Sequence, residues 1–510
     1  MPKYDAVVVG AGNAGLAAAL TLLKKGKKTL LIEQHNIPGG CATSFVRGRF
    51  EFDPSLHELC GVGSEEHPGD VRKLFEDFGV KLNWVQVPDC FRIISKYSDG
   101  SRMDVTMPSG REAFIDKMEN YVPGSKEKMQ KLFGLFDEIC EATVYTARPD
   151  CDQKMVLKLY PDFLRTGAYP TMKVFKAMKL PQKCIDILAT YWSYLGVDLE
   201  HLSFIHYASM VNSYITNSAY IPAHTSHEIS VAMTERIREL GGDIWFNCRA
   251  EEFLFNGEKC CGVKTSMGQV DCDLVLANIN PDIIYGKMMP KALIPEREKK
   301  LSAARNAKFG ARMFTCYFGL NRTAEELGIK DYSIFMSGTS DSVKEYASLE
   351  RVATNNYSIF LCYNVCNPGF SPEGTCVVSL TTMTGAEDWN NLNEEQYFKY
   401  KNDFVRRILA NLKHKTGIDI TPYIEEATVA TPLTFARYLG APEGSVYGYE
   451  TRDWDSIVPR IMMRDVDYPL HGLYPIGTSG PRGDGYSSAY YCGNMIAGLA
   501  LKKEAQGGND

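Results

Sequence analysis

Three glycines and one acid near the start of the chain have the spacing of a dinucleotide site. Gly10, Gly12 and Gly15 follow the apolar run 7–9, and Glu33 comes about twenty residues later. The first glycine permits a tight turn, the second lets the backbone approach a pyrophosphate, and the third lets helix and strand pack closely. Glu33 can accept a hydrogen bond from a ribose hydroxyl, which disfavours a 2′-phosphorylated nucleotide.

A strand, a turn and a helix must position these residues. Residues 7–9 and Thr29 to Ile32 are apolar runs that predict buried parallel strands. Between them, Leu16, Leu20 and Leu23 recur at helical spacing. The helix that follows the glycine turn would offer its unpaired N–H groups to phosphates.

A glycine doublet beyond the acid indicates an extended cofactor. Gly39 and Gly40 are followed by the stretch Phe50 to Asp53, and this order resembles FAD proteins of the phytoene desaturase, carotenoid isomerase and retinol saturase family. The resemblance implies that FAD is the cofactor. In this part of the chain it assigns cofactor contacts to Gly10, Gly12, Asn13, Ala14, Gly15, Glu33, Gln34, Gly39, Gly40, Cys41, Ala42 and Thr43.

Two later segments continue the resemblance. Residues 228–282 are similar to the segment in which the family's chain returns to the cofactor domain, and the family's adenine contact corresponds to Ala250. Residues 472–497 resemble the closing glycine-rich motif. This motif adds cofactor contacts at Gly477, Thr478, Gly483, Asp484, Gly485 and Tyr486. Thr478 stands where the family has Asp and Arg482 where it has Pro, so the ribityl contact at Thr478 departs from the pattern.

Four residues are candidates for catalysis. His57 and Glu58 follow the glycine doublet in a stretch that should approach the flavin, and either could act as acid or base. A solvated pair, or one satisfied in the core, is the alternative. Arg482 and Tyr486 lie in the closing turn, where a positive charge could stabilise an anionic flavin or a substrate carboxylate; a structural pair between Arg482 and Asp484 is the rival account.

The composition, with 45% hydrophobic and 23% charged residues, is typical of a globular protein. The length of 510 residues exceeds that of a domain with a single core, so we expect at least two domains. The expected class is α/β, a Rossmann-like FAD-binding domain of the GR2 or amine-oxidase type with an inserted α+β substrate domain. The FAD-binding domain is assigned 1–67, 222–282 and 425–505, and the substrate domain 68–221 and 283–424.

Charge and cysteine spacing exclude several classes of function. The formal net charge is -6, whereas proteins that bind nucleic acids usually carry basic surface patches, so we do not expect nucleic acid as a partner. The 15 cysteines include no C-x-x-C pair and there is no His cluster at zinc spacing, so we expect no metal and reduced thiols in the cytoplasm. No apolar run reads as a secretory signal or a transmembrane span. Peripheral membrane contact would be needed for a lipid-dissolved substrate.

The leading hypothesis is an FAD-dependent oxidoreductase or isomerase. The resemblance implies desaturation, saturation or isomerisation of carbon–carbon double bonds in a carotenoid, a retinoid or an unsaturated acyl chain, with flavin carrying the hydride chemistry. A flavin amine oxidase is the neighbouring alternative. A flavin-free prenyl-binding protein of the GDP-dissociation-inhibitor type is a third, which the intact glycine motif and Glu33 disfavour.

Overall fold

The computed structural model describes residues 3–146, 151–296, 298–299, 309–450, 470–477 and 485–507. Its strands are β1 (Lys3–Val9), β2 (Thr29–Ile32), β3 (Phe45–Arg47), β4 (Phe50–Phe52), β5 (Trp84–Gln86), β6 (Asp89–Lys96), β7 (Arg102–Pro108), β8 (Tyr220–Pro222), β9 (Asp243–Trp245), β10 (Ala250–Asn256), β11 (Lys259–Thr265), β12 (Gly268–Ala277), β13 (Met313–Leu320), β14 (Ser333–Met336), β15 (Ser358–Cys362), β16 (Cys376–Met383), β17 (Ile424–Ala430) and β18 (Leu473–Pro475).

The α-helices occupy the segments between these strands. They are α1 (Asn13–Lys24), α2 (Asp70–Phe78), α3 (Arg111–Tyr121), α4 (Lys126–Thr146), α5 (Gln153–Leu159), α6 (Pro161–Thr166), α7 (Thr171–Ala177), α8 (Gln182–Leu188), α9 (Trp192–Leu195), α10 (Phe204–Asn217), α11 (His227–Glu239), α12 (Pro281–Ile283), α13 (Ser342–Leu349), α14 (Glu394–Thr416), α15 (Pro432–Leu439) and α16 (Tyr486–Gly507).

The first sheet carries the glycine turn. Its strands follow the order β10-β11-β12-β1-β2-β9, with β18 beside β12. β1 is parallel to both β2 and β12, and Val7 lies between Leu30 and Val275. β2 is buried throughout because its sheet is covered on both faces, which explains its unbroken apolar run. The predicted Rossmann-like α/β fold is confirmed.

The second sheet forms the wall opposite the glycine turn. Its order is β17-β13-β16-β15-β14-β6-β7. All described pairs in it are antiparallel except β14 with β6. Alternation along β13 sends Phe314 and Phe318 into a core shared with Phe404 and Ile408 of α14, whereas Tyr317 belongs to the core on the other face. The sheet therefore lies between α14 and the α3–α10 helices.

Two segments lie across the domain boundaries expected from the sequence. α2 falls within 68–221, but Val71, Phe75 and Phe78 pack in the core of α1 and the first sheet. Their spacing makes α2 amphipathic, so it buries this face on the nucleotide unit. β17 begins at 424 and pairs with β13 in the second sheet, beyond the expected boundary at 425. The division into domains otherwise stays a prediction.

α16 packs along α1. A Cβ on Gly493 would lie 2.0 Å from the carbonyl oxygen of Ala14, so only glycine permits this approach of the two helices. Thr21 Oγ1 also donates a 2.8 Å hydrogen bond to Asn494 Oδ1. In the described parts of the chain, every helix is too short or too polar to cross a bilayer.

Candidate cofactor and substrate site

A cavity of about 900 Å³ begins at the glycine turn and extends to the second sheet. Most of the residues predicted from the sequence line it. These are Gly10, Gly12, Asn13, Ala14, Glu33, Gln34, Gly39, Gly40, Cys41, His57, Glu58, Ala250, Gly477, Gly485 and Tyr486. The predicted residues Thr478, Arg482, Gly483 and Asp484 lie outside the described residues.

Gly15, Ala42 and Thr43 lie behind the cavity wall. A Cβ on Gly15 would be 1.9 Å from the carbonyl oxygen of Gly10, so Gly15 is required by helix–turn packing. The carbonyl oxygens of Ala42 and Thr43 accept hydrogen bonds from Ser230 Oγ and Ser226 Oγ, at 2.7 and 3.4 Å. Gly15, Ala42 and Thr43 therefore support the backbone of the cavity wall, while other predicted residues line the cavity itself.

The turn before α1 fits a dinucleotide pyrophosphate. Gly10 has φ 94°, a conformation that favours glycine, and its N–H donates to Ile32 O at 2.8 Å. Gly12 is the N-cap of α1 and offers no side-chain cap, so the first-turn amides stay available beside the cavity. Asn13 Oδ1 is buried without a hydrogen-bond partner among the described residues. The free backbone N–H groups can donate to a bound phosphate group, whereas Asn13 Oδ1 is an acceptor and can only bind a water attached to that group.

Glu33 is fixed at the end of β2. Its Oε2 accepts from the N–H of Ala11 at 2.7 Å, and its Oε1 accepts from the N–H of His35 at 2.8 Å. The Glu33 carbonyl accepts from Cys248 N, which brings the segment before Ala250 to the same edge of the sheet. The structure thus places the predicted ribose acceptor and the predicted adenine contact on one part of the cavity wall.

The segment 53–58 crosses the cavity wall between the two sheets, and Asp53 holds its first turn. Asp53 Oδ1 accepts from the N–H groups of Ser55 and Leu56 at 3.0 and 2.8 Å, and Oδ2 accepts from Ser226 N at 2.6 Å. Burial raises the pKa of Asp53 to about 6, although these hydrogen bonds oppose the rise. Asp53 therefore ties the segment to the start of α11.

Four tyrosine hydroxyls donate to carbonyl groups of this segment. The pairs are Tyr317 to Pro54 O at 2.6 Å, Tyr363 to Leu56 O at 2.7 Å, Tyr332 to His57 O and Tyr214 to Glu58 O at 3.2 Å. Tyr317 lies in β13 and Tyr214 in α10, whereas Tyr332 directly precedes β14 and Tyr363 directly follows β15. Because buried carbonyls need partners, these hydroxyls fix the path of the backbone that carries His57 and Glu58. No local pattern in the sequence connects them with residues 54–58.

Glu58 is a buried acid on the cavity wall. Its Oε1 accepts a 2.7 Å hydrogen bond from the hydroxyl of Tyr194, and its Oε2 has no partner among the described residues. Burial raises the pKa of Glu58 to about 7, while the bond from Tyr194 opposes that rise. Near neutral pH the carboxyl can therefore both hold and release a proton, as a general acid or base requires.

His57 is neutral at physiological pH. Burial lowers its pKa to about 4, and its ring centroid lies 5.5 Å from that of Tyr194 in an edge-on contact. An imidazole in this state cannot act as a cationic acid. Of the two adjacent sequence candidates, Glu58 is thus the better suited to proton transfer.

Tyr486 is held beside the glycine doublet. Its hydroxyl lies 2.8 Å from Ser55 Oγ and donates to Cys41 O at 3.1 Å and Ser226 Oγ at 3.3 Å. Burial raises its pKa well above the usual range, so the phenol stays protonated. Burial also raises the pKa of the Cys41 thiol to about 11, which leaves little nucleophilic thiolate at that position.

The far part of the cavity has two kinds of wall. The second sheet and α15 contribute mainly apolar side chains, including Met313, Ile359, Met383 and Phe435. α10 contributes a face at helical spacing that is mostly polar, with His206, Ser209, Ser213 and Asn217. A long apolar molecule could thus lie along the sheet while a polar end group meets α10.

Comparison with known proteins adds the family context. Residues 8–78 match the family described as NAD(P)-binding Rossmann-like domain. Over 99% of its length the chain is 26% identical to all-trans-retinol 13,14-reductase of Danio rerio, of which it covers 89%. It is 24% identical to prolycopene isomerase 1 of an Oncidium hybrid cultivar, over 99% of this chain and 85% of that one. The chain is also 24% identical to the 1-hydroxycarotenoid 3,4-desaturase of Flavobacterium sp. (strain P99-3), over 97% of this chain and 98% of that one.

Solved structures share the fold at low sequence identity. An oxidoreductase from Methanosarcina mazei aligns with a TM-score of 0.64 and 13% identity, over 97% of this chain and 99% of that one. Cyclohexylamine oxidase from Brevibacterium oxydans aligns with a TM-score of 0.63 and 13% identity, over 99% of this chain and 100% of that one. The resemblance drawn from the motifs is confirmed by the sequence relatives, which are named oxidoreductases and isomerases.

Proposed function

Since the chain is similar over nearly its whole length to a retinol reductase, a prolycopene isomerase and a carotenoid desaturase, we propose that it is an FAD-dependent enzyme acting on carbon–carbon double bonds of a long hydrophobic substrate. One observation carries the proposal. A single cavity joins the dinucleotide turn to a buried acid, Glu58, whose pKa is raised to about 7.

FAD would occupy the part of the cavity lined by the glycines. The α1 amides and Gly39–Gly40 would hold the pyrophosphate, Glu33 a ribose, and Ala250 the adenine. Gly477, Gly485 and Tyr486 would line the isoalloxazine end. When bound, flavin supplies hydride transfer.

The chain's own side chains supply proton handling and a dry site. Glu58 would hold a proton at the wall and give it to, or take it from, a substrate carbon. Tyr194 would orient the carboxyl through its hydrogen bond to Oε1. Met313, Ile359 and Met383 would hold an apolar chain and exclude water, which strengthens electrostatic interactions inside the cavity.

The two alternatives rest on fold alone. Cyclohexylamine oxidase shares the architecture at 13% identity, and a Rab GDI from Plasmodium falciparum does so at 12% with a TM-score of 0.52. The sequence relatives that match the chain at 24% to 26% identity carry retinol or carotenoid names. A thiol-rich chain is typical of a reducing compartment, which favours the cytoplasm.

The test begins with the cofactor. The chromophore released from the purified protein would be identified against FAD, FMN and NAD. The protein would then be incubated with all-trans-retinol and with prolycopene under nitrogen, with dithionite present to reduce the flavin. In parallel it would be incubated with cyclohexylamine in air, where oxygen accepts the electrons. We expect FAD and conversion of a polyene. Conversion of the amine alone would move the function to the amine oxidases. A protein that cannot be loaded with FAD would favour the binding-protein alternative.

A further inference from the structure

One tyrosine of α15 borders the cavity from the side of the second sheet. Phe435, Tyr438 and Leu439 of this helix line the cavity, and their spacing of three and four residues puts them on one helix face. Phe435 is buried in the core on one side of the second sheet, and α15 contacts β13 and β17. Tyr438 is therefore carried by the second sheet, whereas the glycine turn and Glu33 belong to the first.

The ring of Tyr438 lies where the expected ribose and adenine contacts meet. Its centroid is 6.3 Å from that of His35, with the two ring planes tilted by 58°. The N–H of His35 donates to Glu33 Oε1 at 2.8 Å, and its carbonyl accepts from the N–H of Asn247 at 2.9 Å. His35 thus joins the acid that follows β2 to the segment that leads into Ala250. Tyr438 therefore stands at the end of the cavity where adenosine is expected.

Most of this ring is open. Tyr438 is exposed by 61% although it lines the cavity, whereas Phe435 on the same helix face is exposed by 7%. A single exposed aromatic residue on a plain surface needs no explanation, but this one adjoins walls that offer only polar groups to a phosphate and a ribose. Adenine has two apolar faces, and bases stack on aromatic rings without needing a particular pattern of hydrogen bonds.

We propose that Tyr438 contacts the adenosine half of the bound dinucleotide with the face of its ring. Glu33 and the amides of α1 hold the ribose and the phosphates, and Tyr438 adds an apolar partner from the second sheet. The cofactor then ties α15 to the first sheet. This inference rests on the proposed function only for the presence of FAD, and it does not depend on which carbon–carbon bond the enzyme acts on.

Nucleotide binding to the full-length protein, freed of flavin, tests the contact by calorimetry. ADP carries the adenosine half of FAD, whereas FMN carries the flavin half. Tyr438→Ala should weaken the binding of ADP and of FAD about tenfold each and leave the binding of FMN unchanged. Tyr438→Phe keeps the ring and should bind all three as the wild type does. The matched control is Phe398→Ala, which removes an exposed ring from α14 and should also leave binding unchanged.

The other outcomes contradict different statements. Unchanged ADP binding in Tyr438→Ala would overturn the proposal, and so would a loss of FMN binding instead, which would put the ring at the flavin half. An equal loss in Tyr438→Phe would refute stacking by the ring. A wild type that binds neither FAD nor ADP would refute the dinucleotide site, and the proposed function would fail with it. If the wild type binds FAD but converts no polyene, only the proposed reaction fails.

A tryptophan at the same position gives a direct optical readout. The added emission of Tyr438→Trp, taken as the difference from the wild type, should be quenched when ADP saturates the protein, because the base then covers the indole. An added emission that saturating ADP leaves unchanged would refute the contact. Thermal unfolding of flavin-free Tyr438→Ala should match that of the wild type, since the side chain is exposed. This control separates a loss of binding from a loss of fold.

Discussion

The hydroxyl of Tyr194 donates to one oxygen of Glu58, and the other oxygen of that carboxyl faces the interior without a partner among the described residues. Two opposing effects therefore set the pKa of Glu58. Burial raises it, and the hydrogen bond lowers it by stabilising the charged form. The pair links the segment 53–58 with a residue of α9.

Glu58→Gln should slow turnover about 100-fold or more, because the amide keeps the shape of the side chain but cannot exchange a proton in the reaction. The flavin content should stay that of the wild type, since Glu58 lies beyond the dinucleotide part of the cavity. Steady-state rates and the ratio of flavin to protein measure both effects. Full activity in the variant would remove Glu58 from the mechanism.

Tyr194→Phe should move the pH dependence to higher pH. Without the hydroxyl the charged carboxylate loses its donor, so the pKa of Glu58 rises above its present value of about 7. The midpoint of the pH–rate profile should rise with it. A wild-type rate that falls through this range identifies Glu58 as the proton donor, and one that rises identifies it as the acceptor. An unmoved midpoint in the variant would mean that another group is titrating.

Tyr363→Phe should lower the free energy of unfolding by about 1–2 kcal/mol, because the buried carbonyl of Leu56 loses its donor. It should also reduce turnover through the displaced segment 53–58. Denaturant unfolding gives the first value. Tyr169→Phe is the control, since its side chain is exposed and the change should lie within about 0.5 kcal/mol of the wild type.

Gly493→Ala should destabilise the protein, whereas Gly498→Ala on the same helix should not. A Cβ at Gly493 would lie 2.0 Å from Ala14 O, so α1 and α16 must separate, with a cost of about 1–3 kcal/mol or more. At Gly498 nothing lies within 4 Å, and alanine favours the helix by about 1 kcal/mol. Thermal unfolding of the two variants should shift in opposite directions. A similar shift in both would show that the helix contact is not tight.

Glu33→Ala should weaken retention of FAD by removing the expected ribose acceptor. It also leaves the N–H groups of Ala11 and His35 without their carboxylate partner, which loosens the turn itself. Flavin retained after gel filtration measures the effect. Glu76→Ala, an exposed acid on α2, should behave as the wild type. Undiminished flavin in Glu33→Ala would contradict the assigned ribose contact.

Local patterns predicted the elements that depend on neighbouring residues. The predicted run at 29–32 has the bounds of β2, because the apolar run ends at a polar residue. α14 likewise begins at a local signal, the capping box formed by Asn393 and Gln396. The closing motif is assigned to 472–497, whereas the helix that ends it, α16, continues to Gly507. Gly498 interrupts the apolar run after Ala497, although Leu499, Ala500 and Leu501 continue it before the polar residues begin at Lys502.

The arrangement around Glu58 could not be predicted in this way. Tyr194, Tyr332 and Tyr363 come from separate parts of the chain, and each meets residues 56–58 only through tertiary packing. A tyrosine in an apolar segment has the same local pattern whether its hydroxyl reaches a carbonyl or solvent. The sequence therefore indicated which residues could transfer a proton, but not that burial favours Glu58 over His57.

The contact of α1 with α16 has a consequence for biosynthesis. Among the described helices α1 is translated first and α16 last. Until then the Ala14 side of the dinucleotide unit lacks the helix that covers it. The nascent chain thus presents an uncovered apolar surface through most of translation, a state that chaperones recognise, and tight cofactor capture must follow the synthesis of α16.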